Sequence, residues 1–351
     1  MTGPRASEIA TFLENAGWAS AQRISLAGDA SPRRYHRLRR DGGGAVLMDA
    51  PFTRATAPLA PPYITPEPEP FLALSRHLVA CGFSAPRVLA ADSEAGLILL
   101  EDLGDDLFAA LLRGGPPEGL EAELYTAAVD ALVALARAPL PEPSVPPYDL
   151  ATYLFEAQLS TTWYMPAFAS MSPDAAKAAG VALAQVLTPC LEPLCAERCL
   201  ALRDVHAENL LWLPERSGIA QVGLLDFQDA LLGHPAYDLT SLLRDARRDV
   251  PLALLETLLE RYIAGTGAEP GPLRTAFAVL GVQRQLKILG IFARLCLRDG
   301  KPIYLEHLPR VWAHLQRDLE HPALADVAGW VAATLPAPEP ERIATLAAEA
   351  A

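Results

Sequence analysis

Near residue 100 the apolar residues of this 351-residue chain change their repeat. Before that point they fall in short runs bounded by turn-forming residues. Beyond it they recur at three- and four-residue spacing. A period near 2 builds strands and a period near 3.6 builds helices, so the chain must fold as a β-rich part followed by a helical one. Ile9, Phe12, Leu13 and Ala16 predict an amphipathic helix from about Ser7. Arg23 to Leu26, Tyr35 to Leu38 and Val46 to Met48 read as strands, separated by the turn-forming Gly28-Asp29-Ala30-Ser31 and Asp41-Gly42-Gly43-Gly44. Residues 58–70 hold six prolines and read as a loop. Phe71, Leu74 and Leu78 mark a second helix, and Val88 to Ala91 and Leu97 to Leu100 two more strands.

The expectation is an α+β chain of two lobes. Residues 1–103 form a five-stranded antiparallel layer ending in a hinge, Glu101-Asp102-Leu103-Gly104. Residues 104–351 are mainly helical. Helices are predicted over Leu120–Ala136, Tyr153–Tyr164, Ala175–Leu187, Pro235–Arg247, Leu252–Ile263 and Pro272–Leu297, with a short one after Pro340.

Hydrophobic residues make up 51%, which supports a packed core rather than disorder. The net charge of −13 argues against nucleic acid as a partner. The N-terminus lacks the apolar run and small-residue cleavage site of a signal peptide. No uninterrupted apolar run approaches a membrane span, and the best candidate, Ala276 to Leu297, is broken by Arg284, Lys287 and Arg294. Five cysteines without C-x-x-C spacing fit reduced thiols. These features predict a cytoplasmic protein without nucleic-acid or membrane partners, and a monomer is expected because no long apolar stripe is left unassigned.

The chemistry is concentrated between Leu202 and Ala230. Asp204 and Asn209 lie five positions apart on a polar loop, and the apolar run Val222 to Leu225 leads into Asp226. Three short strands, Cys199–Leu202, Leu210–Leu213 and Val222–Leu225, are expected to carry them. Phosphoryl transfer from ATP needs a carboxylate to orient the attacking hydroxyl and accept its proton, and hard oxygen donors to hold Mg²⁺ on the triphosphate. Asp204 is the candidate base, and Asn209 and Asp226 are the candidate metal ligands. Asp229 and Asp238 could join them, although Asp238 precedes a helical run and is better suited to bonding backbone there. The turn at Gly28, Asp29 and Ser31 could bring backbone N–H groups to the phosphates. In an acidic chain the counter-charge must be local, and one or two of the clustered Arg33, Arg34, Arg37, Arg39 and Arg40 pointing into the cleft would supply it, the others lying on a solvated hairpin face. Backbone groups at Glu101 and Leu103 could read adenine.

Six segments carry a resemblance: GDASPRRYHRL from Gly28, AVLMDAP from Ala45, LLEDLGDDLF from Leu99, LRDVHAENLLW from Leu202, LLDFQDALLGHPAYDLTSLL from Leu224 and QRQLKILGIFARLCLRDGK from Gln283. The chain resembles the aminoglycoside phosphotransferase family. The GDAS, EDLG and LKILGIFARL segments point within it to bacterial kinases acting at the anomeric hydroxyl of amino sugars. The resemblance spans about Gly28 to Leu308. It implies a bilobal protein-kinase-like fold, ATP and Mg²⁺ as cofactors, and the roles already given to Asp204, Asn209 and Asp226. It also implies transfer to the C1 hydroxyl of N-acetylmuramate or N-acetylglucosamine, giving the α-1-phosphate, in the recycling of peptidoglycan.

Two departures stand out. The strand that carries a phosphate-binding Lys in such kinases reads Ala45-Val46-Leu47-Met48-Asp49-Ala50, so Arg33 or Arg34 is expected to take that role. Leu202 and Arg203 precede Asp204, where many relatives carry a His. Candidate acceptor-binding residues are Glu156, Trp163, Tyr164, His206, Arg284 and Lys287; Arg284 suits the lactyl carboxylate of a muramate. Two other readings stay open: a kinase of another small alcohol, such as an aminoglycoside or a choline-like compound, and an inactive nucleotide-binding pseudokinase.

Overall fold

A computed structural model describes residues 4–26, 33–50, 68–142, 144–169 and 171–350. By contact the chain divides into two compact units. The first comprises Met1–Ala131, Ala138–Val145 and Glu208–Ala230; the second comprises Leu132–Arg137, Pro146–Ala207 and Leu231–Ala351. This division is discontinuous, whereas the alternation of periods suggests one cut after Leu103. The difference arises because the strands around Glu208–Ala230 make their contacts with residues distant in sequence.

The first unit contains α1 (Pro4–Asn15) and five strands: β1 (Gln22–Ser25), β2 (Arg34–Arg40), β3 (Gly43–Asp49), β4 (Val88–Asp92) and β5 (Leu97–Glu101). They form one antiparallel sheet in the order β1-β2-β3-β5-β4. Side chains alternate across a strand. Ala45 and Leu47 on β3 and Leu97 and Leu99 on β5 therefore share a face, which packs with Leu38, Trp18 and the apolar stripe Ile9, Phe12 and Leu13 of α1. Helix α2 (Glu69–Ala80) lies against β4. Its Phe71 stacks on Phe227, with ring centroids 5.1 Å apart. The helices α3 (Phe108–Leu111) and α4 (Leu120–Arg137) follow in the chain.

Most of the second unit is helical. Its elements begin with α5 (Leu150–Ala157), α6 (Met165–Ala169), α7 (Pro173–Leu191) and the strand β6 (Cys199–Ala201). The β7 (Leu210–Trp212) and β8 (Val222–Leu224) pair belongs to the first unit. Then come β9 (Leu231–Gly233), which pairs with β6, and α8 (Ala236–Leu243), α9 (Leu252–Thr266), α10 (Pro270–Leu297), α11 (Leu308–Leu319), α12 (Ala325–Thr334) and α13 (Pro340–Ala350). Helix α10 is the hub of this unit, packing on α5, α8 and α11.

The helix expected over Tyr153–Tyr164 ends at Ala157 and gives way to a π-helical turn, Ser160–Tyr164. Gly290 of α10 sits so close to this turn that a Cβ there would collide with the Leu159 backbone. Two helical segments among the described residues, Pro173–Cys195 and Pro270–Leu297, are long and apolar enough to cross a membrane. The second contains the stretch Ala276 to Leu297 singled out in the sequence, whereas the first is not evident as an uninterrupted apolar run. In the second, 89% of the apolar window is buried inside the protein.

Candidate active site

Asp204 follows β6 by three residues, and the backbone that presents it is unusual. Arg203 has φ of +75°, in the left-handed region that costs a side-chain-bearing residue about 1–3 kcal/mol. Neighbouring groups hold it there. The buried carboxylate of Asp238, on α8, accepts the N–H of Leu202 at 2.7 Å and of Arg203 at 2.8 Å. The carbonyl of Arg203 accepts from Arg284 Nη1 of α10 at 2.8 Å and from the Ser241 hydroxyl at 3.4 Å. The Arg203 guanidinium pairs with buried Glu156, which also takes the Tyr148 hydroxyl and, at 3.1 Å, Lys287 Nζ. Burial pushes the Asp238 carboxyl up to about 6, against the pull of those two N–H groups and of Arg284 and Arg203.

The Asp204 side chain itself is 51% exposed. Its Oδ1 lies 3.5 Å from Arg284 Nη2 and 3.9 Å from His206 Nε2. The enclosing protein would raise its pKa, but the charges of His206, Arg284, Lys287 and Arg247 outweigh this and hold it well below the usual carboxylate range. A carboxylate in this setting stays ionised at any physiological pH and presents an oxygen to an incoming hydroxyl.

Of the candidate acceptor-binding residues, His206, Arg284 and Lys287 are gathered around Asp204. Arg284 is 5% exposed and engaged with Arg203 and Tyr237. Glu156 is 1% exposed, its carboxylate committed to Arg203, Lys287 and Tyr148. Their positions suit holding the loop rather than meeting a sugar. Trp163 is half-buried on the π-helical turn and Tyr164 is buried, its hydroxyl bonding the carbonyl of Pro336. Sequence reasoning missed Arg203, Arg247 and Asp245 as parts of this group. The basic pair Arg247-Arg248 after the apolar helix is the trace they leave in the sequence.

Asn209 and Asp226 flank the β7–β8 pair in the first unit. Leu210 faces Leu224 in the register, and the Leu225 N–H bonds the Asn209 carbonyl at 3.0 Å, so the two residues emerge at one end of the ladder. Asp226 has φ of +57° and a side chain 44% exposed. Its Oδ1 accepts from Gln228 Nε2 at 2.8 Å and lies 3.9 Å from Arg33 Nη1. Phe227 beside it is fully buried on Phe71. One amide and one carboxylate are hard oxygen donors that fit Mg²⁺. No group of three or more His, Cys, Asp or Glu among the described residues could hold a metal by itself. A two-ligand set suits an ion that brings phosphates and water of its own.

The arginines of β2 separate by environment. Arg37 is buried and paired with Asp102 at 2.8 Å and Asp105 at 2.5 Å, and Arg40 lies over Trp18. Both are thereby structural. Arg34 and Arg39 are exposed, and Arg33 is the one beside Asp226. The Glu101 side chain bridges Arg87 and Arg216, and its N–H bonds the Arg87 carbonyl. Leu103 is buried in a small apolar cluster with Leu211 and Leu213, against which the partly buried Leu107 and Leu225 pack. Gly28, Asp29 and Ser31 lie outside the described residues.

A profile of the phosphotransferase enzyme family matches residues 23–277. The N-acetylmuramate/N-acetylglucosamine kinase of Caulobacter vibrioides is 42% identical, covering 94% of this chain and 96% of its own. The protein of that name from Pseudomonas putida is 34% identical, covering 92% and 91%. Among solved structures, a choline kinase from Streptococcus pneumoniae superposes with a TM-score of 0.60 at 12% identity, covering 92% of this chain and 99% of its own. That last likeness is one of fold.

Proposed function

Because the chain belongs to the phosphotransferase enzyme family, we propose that it transfers the γ-phosphoryl group of ATP to the C1 hydroxyl of N-acetylmuramate and N-acetylglucosamine. The product is the sugar α-1-phosphate, made in the cytoplasm by a monomer that returns cell-wall amino sugars to use. The observation that carries the reading is the 42% identity to a kinase named for these two sugars, sustained over nearly the whole of both chains.

The residues support it chemically. Asp204 is the base. Its low pKa makes it a weak one, suited to orienting the hydroxyl and taking the proton late, once the new P–O bond has begun to acidify the oxygen. An anomeric hydroxyl is more acidic than an ordinary alcohol and makes modest demands on it. Asn209 and Asp226 would hold Mg²⁺, which supplies charge neutralisation on the triphosphate when bound. Arg33, close to Asp226, takes the phosphate contact of the missing strand Lys, and Gly28, Asp29, Ser31 and Arg34 assist it. Glu101 and Leu103 meet the adenine, with residues 1–103 as the nucleotide-binding lobe and 104–351 as the catalytic one.

The test is ATP consumption with Mg²⁺ by the purified protein on N-acetylmuramate, N-acetylglucosamine, kanamycin and choline, with Asp204→Asn alongside. Turnover on the N-acetyl sugars, reduced about a thousandfold in the variant, is the expected result. Turnover confined to kanamycin or choline overturns the sugar assignment, and nucleotide binding without any turnover overturns the enzyme.

A further inference from the structure

We infer that Arg247 is a specificity residue that binds the carboxylate of an acidic acceptor sugar, favouring N-acetylmuramate over N-acetylglucosamine; the inference rests on the sugar-kinase reading above. The chain carries a net charge of −13, yet the surroundings of Asp204 are cationic. Three cations and an imidazole face it, and they are not equivalent. The Arg284 side chain is 6% exposed and bonded to the loop backbone. Lys287 is 12% exposed and paired with Glu156. Arg247 is half-buried and stands in the turn after α8 rather than on the hub helix α10 that carries the other two.

Its placement relative to Asp204 is built in. One buried carboxylate, Asp245, accepts the backbone N–H of Arg247 at 2.8 Å and that of Ala207 at 3.3 Å, tying the turn to the loop that carries the base. Arg247 Nη1 lies 3.4 Å from His206 Nε2, which in turn lies 3.9 Å from Asp204 Oδ1. The guanidinium is therefore one imidazole away from the base. A muramate differs from a glucosamine by a lactyl ether on C3, two ring carbons from the reacting C1 hydroxyl. With that hydroxyl on Asp204, the lactyl carboxylate is assigned to Arg247, on the far side of His206 from the base. The planar fork of five N–H donors accommodates a carboxylate together with protein partners.

Arg247 also depresses the pKa of Asp204, so a substitution changes base strength for every acceptor alike. The decisive quantity is therefore a ratio. kcat/KM is measured for wild type, Arg247→Gln and Arg247→Lys on N-acetylmuramate, its lactyl methyl ester and N-acetylglucosamine. Wild type is expected to prefer the acid over the ester about 10- to 100-fold, with the preference lost in the Gln variant and kept in part by Lys. Equal use of acid and ester by wild type overturns the inference even if the Gln variant misfolds. A preference undiminished in the Gln variant also overturns it. Wild-type turnover on neither sugar removes the sugar-kinase reading itself, and the inference with it, and is told apart by the silent N-acetylglucosamine assay.

Discussion

Arg203 and Asp226 are the two non-glycine residues with positive φ among those described, and they are held in different ways. Arg203 is 7% exposed, with its N–H on a buried carboxylate, its carbonyl on a buried arginine and its guanidinium on a buried glutamate. Asp226 has its carboxylate 44% exposed among long polar side chains, with only its neighbour Phe227 locked into the core. The first arrangement fixes the direction of Asp204, the base proposed above, before any ligand arrives. The second leaves a carboxylate at the surface, where it can settle around an ion whose other ligands come from the nucleotide. Preorganisation is concentrated where one oxygen must meet one hydroxyl.

The contrast predicts a split between activity and stability. Asp226→Ala should give the largest effect, a fall in turnover of about a thousandfold through several kcal/mol of lost transition-state stabilisation. Its unfolding free energy by denaturant titration should stay within about 0.5 kcal/mol of wild type. Asp238→Ala should do the reverse in stability, lowering it by about 2–4 kcal/mol because two buried N–H groups lose their acceptor. An equal loss of stability in both variants would erase the distinction.

Smaller effects sharpen it. Arg284→Gln should reduce kcat about tenfold with little change in KM for ATP, and raise the Asp204 pKa, read from the carboxyl ¹³C titration. The pH dependence of Asp238 has the opposite sign to that of a salt-bridged carboxylate. Its folded pKa of about 6 lies above the unfolded value of 3.8, so the stability contributed by its protonated form is full below the unfolded value and lost as pH rises through 6. The deficit of Asp238→Asn relative to wild type should therefore shrink by roughly 1 kcal/mol between pH 5 and pH 7.5, measured by denaturant unfolding at both.

Much of this was legible in the residues alone. The five strands follow from short apolar runs between turn-forming residues, and the fold adds the common face that Leu47, Leu97 and Leu99 share. The short strands beside the candidate residues Asp204, Asn209 and Asp226 were legible too, since each of the three follows or precedes a short apolar run. The π-helical turn was hidden, since apolar spacing from Tyr153 to Tyr164 suits an α-helix equally well and the close approach of Gly290 comes from a distant segment. The pairing of β6 with β9 was hidden too, because three residues are too few to show a period. Charge does not reveal burial: Arg37 and Arg284 read as phosphate and sugar ligands, and only the fold shows Asp102 and the Arg203 carbonyl waiting for them. The same holds for Arg203, whose left-handed backbone is imposed by groups more than thirty residues away.

The tight seat of Gly290 also bears on how the acceptor range of such an enzyme can change. Arg284, Lys287 and Gly290 follow one another at three-residue steps along α10, and at the last step the helix meets the Leu159 backbone with no space for a methyl group. The helix cannot slide or rotate to admit a different sugar without breaking that contact. Were the turn after α8 to meet the acceptor as proposed, drift in substrate range, natural or engineered, would be channelled there, away from the fixed helix.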